Sequence, residues 1–418
     1  PAAKNIWTGF TDTIESEPHL GGAHTARLRA IGPLAYWNQW KVQAAMRTSV
    51  PTGDAIIEVL DKAGQAAADR DVDSGQTTMT RWWSDEVYTL EALREIEETE
   101  GGFLWEAVDG KIVFHDRHVR MKAPYLTSQA TYTDAAGGTY KYGLPHGQRD
   151  PHREIFNIIE CEVTIYTVGA LAVMWTMPET GASSPLLAVG QSKDFWASFP
   201  NPGSATDVFA VDAWTTPVAT TDMTANSAAD GSGTNLTASI GIAASKFSNA
   251  MKVTLTNNHA SLLAYVTLLQ ARGTPVSKSD PLRLRDEDAT SKTKYGPRVY
   301  PITTRFIPTS SEAIDRNDFI SSIYAAPLPI VFCTLFGNRS TDILTEVLTR
   351  DIADRVTFVG TGNSGLGINE DFFVEAIQGR IDANRHHQVT YELSQASGFG
   401  GFWVLNTSAL GTGTKLAY

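Results

Sequence analysis

Apolar positions along the chain recur at two spacings. Ile56, Val59, Leu60 and Ala63 fall on one face at helical spacing. Thr52 stands where an N-cap belongs, Asp54 stands in the first turn, and Gly64 supplies the stop. A second helix is predicted from about Thr89 to Glu100, with Leu90, Leu93 and Ile96 inward, Glu95, Glu97, Glu98 and Glu100 as its polar face, and Gly101-Gly102 as its end. Two strand-like runs, 103–108 and 111–115, then flank Asp109-Gly110, the signature of a hairpin with a type I′ turn and positive φ at both turn residues. Residues 51–120 read as one small α+β unit whose local signals agree with each other.

Elsewhere the two-residue period dominates. Strand-like stretches open the chain, around Ile6 to Ile14 and from His24 to Ile31. Residues 124–154, rich in Gly, Thr, Tyr and Pro, read as loop with short strands, and Pro145-His146-Gly147-Gln148-Arg149-Asp150-Pro151 reads as a linker. Glu160 to Tyr166 alternates as a half-buried strand does, with Cys161 as a small apolar residue within it. Residues 178–250 turn to Ala, Ser, Thr, Gly and Asn; short strands such as Leu186 to Val189, Asp194 to Ala197 and Met251 to Leu255 predict a β-sandwich. Thr309 and Glu312 form a capping-box pattern before a helix carrying Ala313, Phe319, Ile320 and Ile323. Ile330 to Phe336 is a buried strand, and Ile343, Leu344, Val347 and Leu348 mark another amphipathic helix. Strands with Gly-rich turns fill 355–418, ending at Gly401 to Asn406. The fold class expected is mainly β with α+β.

Composition narrows the classes. A chain of 418 residues with 42% apolar content has material for two to four cores, and a net charge of −12 leaves no basic footprint for sequence-specific nucleic-acid binding. No run approaches the roughly 18 apolar residues of a membrane span. Pro1 to Asn5 lacks the marks of a signal peptide, and the absence of an initial Met beside an immediate strand-like run raises the expectation that part of an N-terminal domain is missing or cleaved. The two cysteines, Cys161 and Cys333, are expected as buried reduced thiols.

Candidate chemistry is thin. His115-Asp116-Arg117-His118 alternates across a strand, so its histidines point apart, and polar residues at a strand end are expected there. His386-His387 diverge in the same way, while His146 and His152 fall in the linker. Gly360 to Gly367 lacks the Lys-Ser/Thr of a phosphate loop and is expected as a hairpin loop. Glu370 and Asp371 form a further carboxylate cluster, but nothing in their spacing marks a glycosidase pair. Trp82, Trp83 and Trp196 suit glycan contact if exposed, and core anchoring otherwise. No catalytic, cofactor-binding or metal residue is nominated, and no enzyme is expected.

Several blocks, in order, resemble the tail-tip proteins of siphophages and prophages, the minor tail proteins similar to the baseplate hub of contractile tails. They are Trp7-Thr8-Gly9 and Ala30 to Leu34; Gly53 to Ile56, Asp71 to Thr78 and Ala92 to Glu95; and Glu100 to Leu104 followed by Asp109 to Phe114 and Asp116-Arg117. Later come Asp212 to Pro217, Tyr295-Gly296, Asp354-Arg355-Val356, and Trp403 to Leu405 with Leu410-Gly411-Thr412. The resemblance implies tube-like β-barrel domains, two per chain, around a small α+β hub domain. It divides the chain into a partial first tube-like domain at 1–34, the hub domain at 35–154, a second tube-like domain at 155–169 and 275–418, and an inserted β-sandwich at 170–274. It further implies a structural hub of a bacteriophage tail tip: a homotrimeric ring in the virion that caps the tail tube. Its partners would be the tail tube or distal tail protein ring, the tape measure protein, and the tip fibre or spike proteins. DNA would pass through the lumen. The competing readings are a carbohydrate-binding adhesin, with the sandwich as its contact module, and a cell-wall hydrolase.

Overall fold

A computed structural model describes residues 5–17, 25–150, 152–179, 183–198, 208–362, 364–382, 386–399, 402–403 and 415–416. The chain opens with an antiparallel ribbon, β1 (Phe10–Glu17) and β2 (Thr25–Ile31). A short helix, α1 (Pro33–Trp37), leads into the α+β unit: β3 (Lys41–Pro51), α2 (Thr52–Ala63), β4 (Arg70–Val72), β5 (Thr78–Tyr88), α3 (Thr89–Glu100), β6 (Phe103–Glu106) and β7 (Ile112–His115). Strands β3 and β5 pair antiparallel over their length, and β4, β7 and β6 form a small second sheet. The inner faces of α2 and α3 (Ile56, Val59, Leu60, Leu93, Ile96) bury Val42, Met79, Trp82, Trp83 and Phe114 in one core. Both helices end as predicted on left-handed glycines, Gly64 at φ +92° and Gly101 at φ +69°.

Two local expectations are corrected. Thr52 is the first residue of its helix, not the cap; its hydroxyl donates to Glu100 instead. In the β6–β7 hairpin only Gly110 takes positive φ (+88°), and its N–H donates to Ala107 O, so the turn is not type I′. Asp109 spends its carboxylate on the Lys111 N–H, 3.2 Å, which stabilises the turn without left-handed backbone at Asp109.

The barrel-like sheet comes next. Strands β8 (Thr131–Thr133), β9 (Tyr140–Lys141) and β10 (Gly143–Arg149) precede β11 (Ile158–Val163). The sandwich follows, with β12 (Tyr166–Val168), β13 (Ala172–Met177), β14 (Leu186–Leu187), β15 (Ser192–Ser198), β16 (Val208–Thr215), β17 (Met223–Asn226), β18 (Ile240–Lys246), β19 (Ala250–Asn257) and β20 (Ala264–Lys278). After β21 (Leu282–Glu287), α4 (Ala289–Tyr295), β22 (Val299–Ile302) and α5 (Ser310–Tyr324), the chain returns to the barrel with β23 (Ile330–Phe336), α6 (Thr341–Val347), β24 (Arg355–Val359), β25 (Asn369–Ile381) and β26 (His387–Gln395). Of the terminal run predicted as strand, Phe402–Trp403 pairs with Lys415–Leu416; the rest of it lies outside the described residues.

The seven-stranded sheet runs β10-β23-β26-β25-β24-β8-β9 and is nearly closed. Its two end strands are consecutive in sequence, parted only by Tyr142, so one bent stretch of chain, 140–149, supplies both ends. The stretch expected as a linker at 145–151 is therefore a strand up to Arg149. The register slips between Gly143 and Gly147, a bulge that absorbs Leu144, Pro145 and His146 and lets a proline sit on the last strand. Alternate residues point inward: Val331, Cys333 and Leu335 from β23, Val389, Tyr391 and Leu393 from β26. Phe358 stacks on Tyr142 at 4.8 Å and meets Phe372 edge-on at 6.3 Å within this core. The Gly360–Gly367 stretch is the loop between β24 and β25, as expected, with Asn363 outside the described residues.

In the sandwich the long strand β20 is a spine, pairing with β12, β13 and β14 along one edge and with β16 and β17 along the other. A second sheet, β15-β19-β18, packs its Phe195, Ala197, Met251, Val253 and Leu255 against Leu187, Trp214, Val266 and Leu269. Strand β11 instead joins β21 and β22 in a three-stranded sheet under α5. Thr309 caps α5, its Oγ1 accepting the Glu312 N–H at 3.2 Å, as the capping-box pattern predicts.

Replacing Phe358 with Ala empties the middle of the barrel core. The expected cost is about 3–5 kcal/mol, read as a lowered urea midpoint; an unchanged midpoint would contradict the packing described.

Candidate functional site

Among the described residues no three or more His, Cys, Asp and Glu side chains are grouped to hold a metal ion. The predicted candidates scatter. His115 ends β7 and meets Trp105 edge-on at 4.8 Å. His386 is exposed and bonded to Asp382 at 2.8 Å, whereas His387 lies in β26 and burial pushes its imidazole pKa down. His146 sits in β10 near Gly143 O, and the His152 side chain lies outside the described residues. Asp371 pairs with Arg355 while Glu370 bonds Gln395, so the two carboxylates serve different partners. Trp82 and Trp83 are core residues; Trp196 is exposed. Both cysteines are buried, and burial pushes the Cys161 thiol up to about 11 and Cys333 higher still.

The charged residues gather where the units meet. Asp116, Arg117 and His118 do not extend the hairpin strand as surface polar residues; they follow it into a buried turn. Glu100 is likewise not part of the polar helix face. It is fully buried at the end of α3, accepting from Thr52 Oγ1 at 2.7 Å, the Thr77 N–H at 2.9 Å and the Gln76 N–H at 3.1 Å. The Arg117 guanidinium lies 3.5 Å from Glu100 and 3.3 Å from Glu312 of α5, and donates to Thr77 Oγ1 at 2.6 Å. Thr77 in turn donates to Glu312. Glu312 thus completes only half of its capping box and spends its carboxylate on tying α5 to the α+β unit. Asp116 is held alongside by Lys122 at 2.7 Å, Gln76 at 2.6 Å and the His118 N–H at 2.9 Å. Burial alone would raise its pKa, but those donors outweigh burial and hold it below the usual carboxylate range.

Three further contacts radiate from the same unit. Arg120 reaches Glu375 of the barrel at 2.7 Å, with its guanidinium between the rings of Phe103 (4.2 Å) and Phe373 (4.7 Å). Arg305 pairs with Glu95 at 2.8 Å and Asp85 at 3.0 Å while lying over Trp83. Arg81 meets Asp212 of the sandwich at 3.2 Å, and Ser248 donates to Asp85 at 2.6 Å. A cleft of about 550 Å³ separates Ile6 and Trp7 from the barrel, but its Arg350 is already committed to Glu346 and Asp354. This arrangement joins units.

The surface feature that stands apart is the β1–β2 ribbon. Its root is clamped by aromatic rings: Phe10 stacks on Tyr36 at 3.8 Å, and Tyr36 meets Trp37 and Trp40 at 5.0 and 5.2 Å. Beyond the root the ribbon stands in solvent. Ile14 and Leu28 face each other across it, 66% and 61% exposed, while Glu15 opposes Arg27 and Asp12 pairs with Arg29 at 3.3 Å. Two strands alone are marginal in water, and an amphipathic ribbon with its apolar side unburied lacks the second layer that stabilises one.

Removing Arg117 leaves the buried Glu100 without its cationic partner, so Arg117→Ala is expected to cost about 3–5 kcal/mol, and Arg117→Met with Glu100→Gln to recover most of it; calorimetry of the pair decides. Asp116 has a folded-state pKa below its ordinary value. Its contribution to stability is complete above the ordinary carboxylate range and is lost as pH falls through the lowered value. Asp116→Asn therefore flattens the acid limb of a melting-temperature profile.

No family model and no curated protein matches the sequence. Solved structures do. A tail protein from Neisseria meningitidis MC58 aligns with a TM-score of 0.50 and 9% identity over 93% of this chain and 80% of that one. The prophage MuSo2 43 kDa tail protein from Shewanella oneidensis aligns at 0.46 and 11% over 94% and 80%, and prophage tail protein gp18 from Listeria monocytogenes at 0.37 and 9% over 91% and 75%. These neighbours are tail proteins, two of them from prophages, and the chain shares the fold of the Neisseria tail protein.

Proposed function

We propose that the chain is a structural subunit of a bacteriophage tail tip, a hub of which three copies form a ring that closes the tail tube. The tail fold sets the class. The observation that carries the assembly role is the ribbon with its apolar side in solvent, which gains a second layer only when a neighbouring chain covers it. In this reading the ring contacts are heterologous, with the ribbon of one copy lying on the next. The tail tube or distal tail protein ring sits on one face of the ring, the tape measure protein within reach of the lumen, and fibre or spike proteins on the other face. The α+β unit, gripping ribbon, barrel and sandwich at once, keeps the contact surfaces in fixed relation. The chain acts by packing, not by catalysis.

Size measurement by light scattering is expected to give three copies, and micrographs a threefold ring. Ile14→Asp with Leu28→Asp places two carboxylates on the covered face and should weaken assembly about tenfold or more while leaving the melting of the barrel unchanged. A parent protein that stays monomeric at high concentration overturns the proposal.

A further inference from the structure

We infer that the outward face of the β15-β19-β18 sheet is a binding site for an uncharged saccharide, with Trp196 as its stacking platform. This goes beyond the assembly role. The sheet buries one face in the sandwich core; the other carries aligned cross-strand rows. Trp196 stands beside Lys252 and Ser245, Asp194 beside Thr254 and Ala243, and Ser192 beside Thr256 and Gly241. The indole is 55% exposed and backed by Phe247, the rings 5.7 Å apart and inclined by 20°. On the third strand Gly241 and Ala243 bring at most a methyl group to this face, and the Asn258 amide approaches over Gly241, so the indole borders a low, polar floor. Neighbouring strands are about 4.8 Å apart and successive outward residues about 6.7 Å. Three rows therefore give a strip long enough for two or three pyranose rings.

The chemistry of the strip selects the ligand. A pyranose presents C–H groups on its ring face, and these meet the negative face of an indole; its hydroxyls need donors and acceptors around the rim. Here Thr254 donates to Asp194 at 2.6 Å, and the Ser192 and Thr256 hydroxyls share a hydrogen bond of 2.8 Å, so the rim groups are already oriented by one another. Charge argues the same way. Asp194 and Lys252 lie 3.6 Å apart and cancel, so the strip is neutral on a chain of net charge −12. A neutral strip gives no attraction to phosphate backbones or anionic lipid headgroups. Its apolar surface is confined to Trp196 and Phe247, too little for the hydrophobic centre of a protein interface.

The full chain is passed over immobilised neutral oligosaccharides built from glucose, galactose, mannose and N-acetylglucosamine, and the retained trisaccharide is titrated by calorimetry. Retention on at least one, with a dissociation constant on the order of millimolar as a shallow site implies, is the expected result. Trp196→Ala should weaken it tenfold or more, Trp196→Phe should retain part of it, and both variants should melt with the parent. Retention on none, or retention unchanged in Trp196→Ala, overturns the inference. Light scattering on the same samples keeps the two proposals apart: a monomer that binds sugar defeats the ring alone, and a trimer that binds none defeats the site alone.

Discussion

A guanidinium removed from water must be matched from every side, and Arg117 is matched by groups from three separate stretches of chain. Glu100 closes a helix of the α+β unit, Thr77 directly precedes strand β5, and Glu312 lies in the first turn of α5, more than a hundred residues further on. The desolvation of such a cluster is costly, and its net contribution to stability is small beside that of the hydrophobic cores. What it supplies is geometry. Glu312 of α5 meets both Arg117 and Thr77 of the α+β unit, so the junction carries directional contacts that apolar packing does not impose. Arg120, three residues on, does the same for the barrel, pairing with Glu375 while its guanidinium is flanked by two aromatic rings.

The parts legible in the sequence were those whose signals are local. The helices around Val59 and Leu93, their glycine stops, the cap at Thr309 and the strand Ile330–Phe336 all follow from spacing and from backbone preference within a few residues. What was not legible depends on distant partners. Thr52 looks like a cap, yet its hydroxyl goes to Glu100, and Glu100 looks solvated, yet it is buried, because Arg117 and two backbone N–H groups converge on it. The proline-bearing run after Gly143 reads as a linker because its pairing partner, β23, lies almost two hundred residues away. The signal that was available was the sequence Asp116-Arg117-His118-Val119-Arg120: two arginines three apart beside an apolar residue point to buried ion pairs as readily as to a surface turn.

The sequence resemblance points to tail proteins and the fold is shared with one of them, while sheet pairing redraws the inside of the molecule. Strands from 131–149, grouped by the sequence reading with the α+β unit, pair with β23 to β26, and β11 leaves for a sheet of its own beneath α5. The sandwich is attached near the C-terminal end of its spine strand β20, where Ala210 and Val276 enter the core of the α+β unit and Arg81 meets Asp212. It is braced, not tethered. A module held in this way presents its outer sheet in a fixed direction, which is a requirement for any surface that must meet a target presented by another body.

The bent segment around Tyr142 has a consequence for growth. Because the same piece of chain serves as the first and last member of the seven-stranded sheet, its bend brings the two margins of that sheet together and curls it toward closure. Strand-by-strand elongation, the hazard of a long flat edge, has less room where a margin is short, bent and turned back on its own sheet.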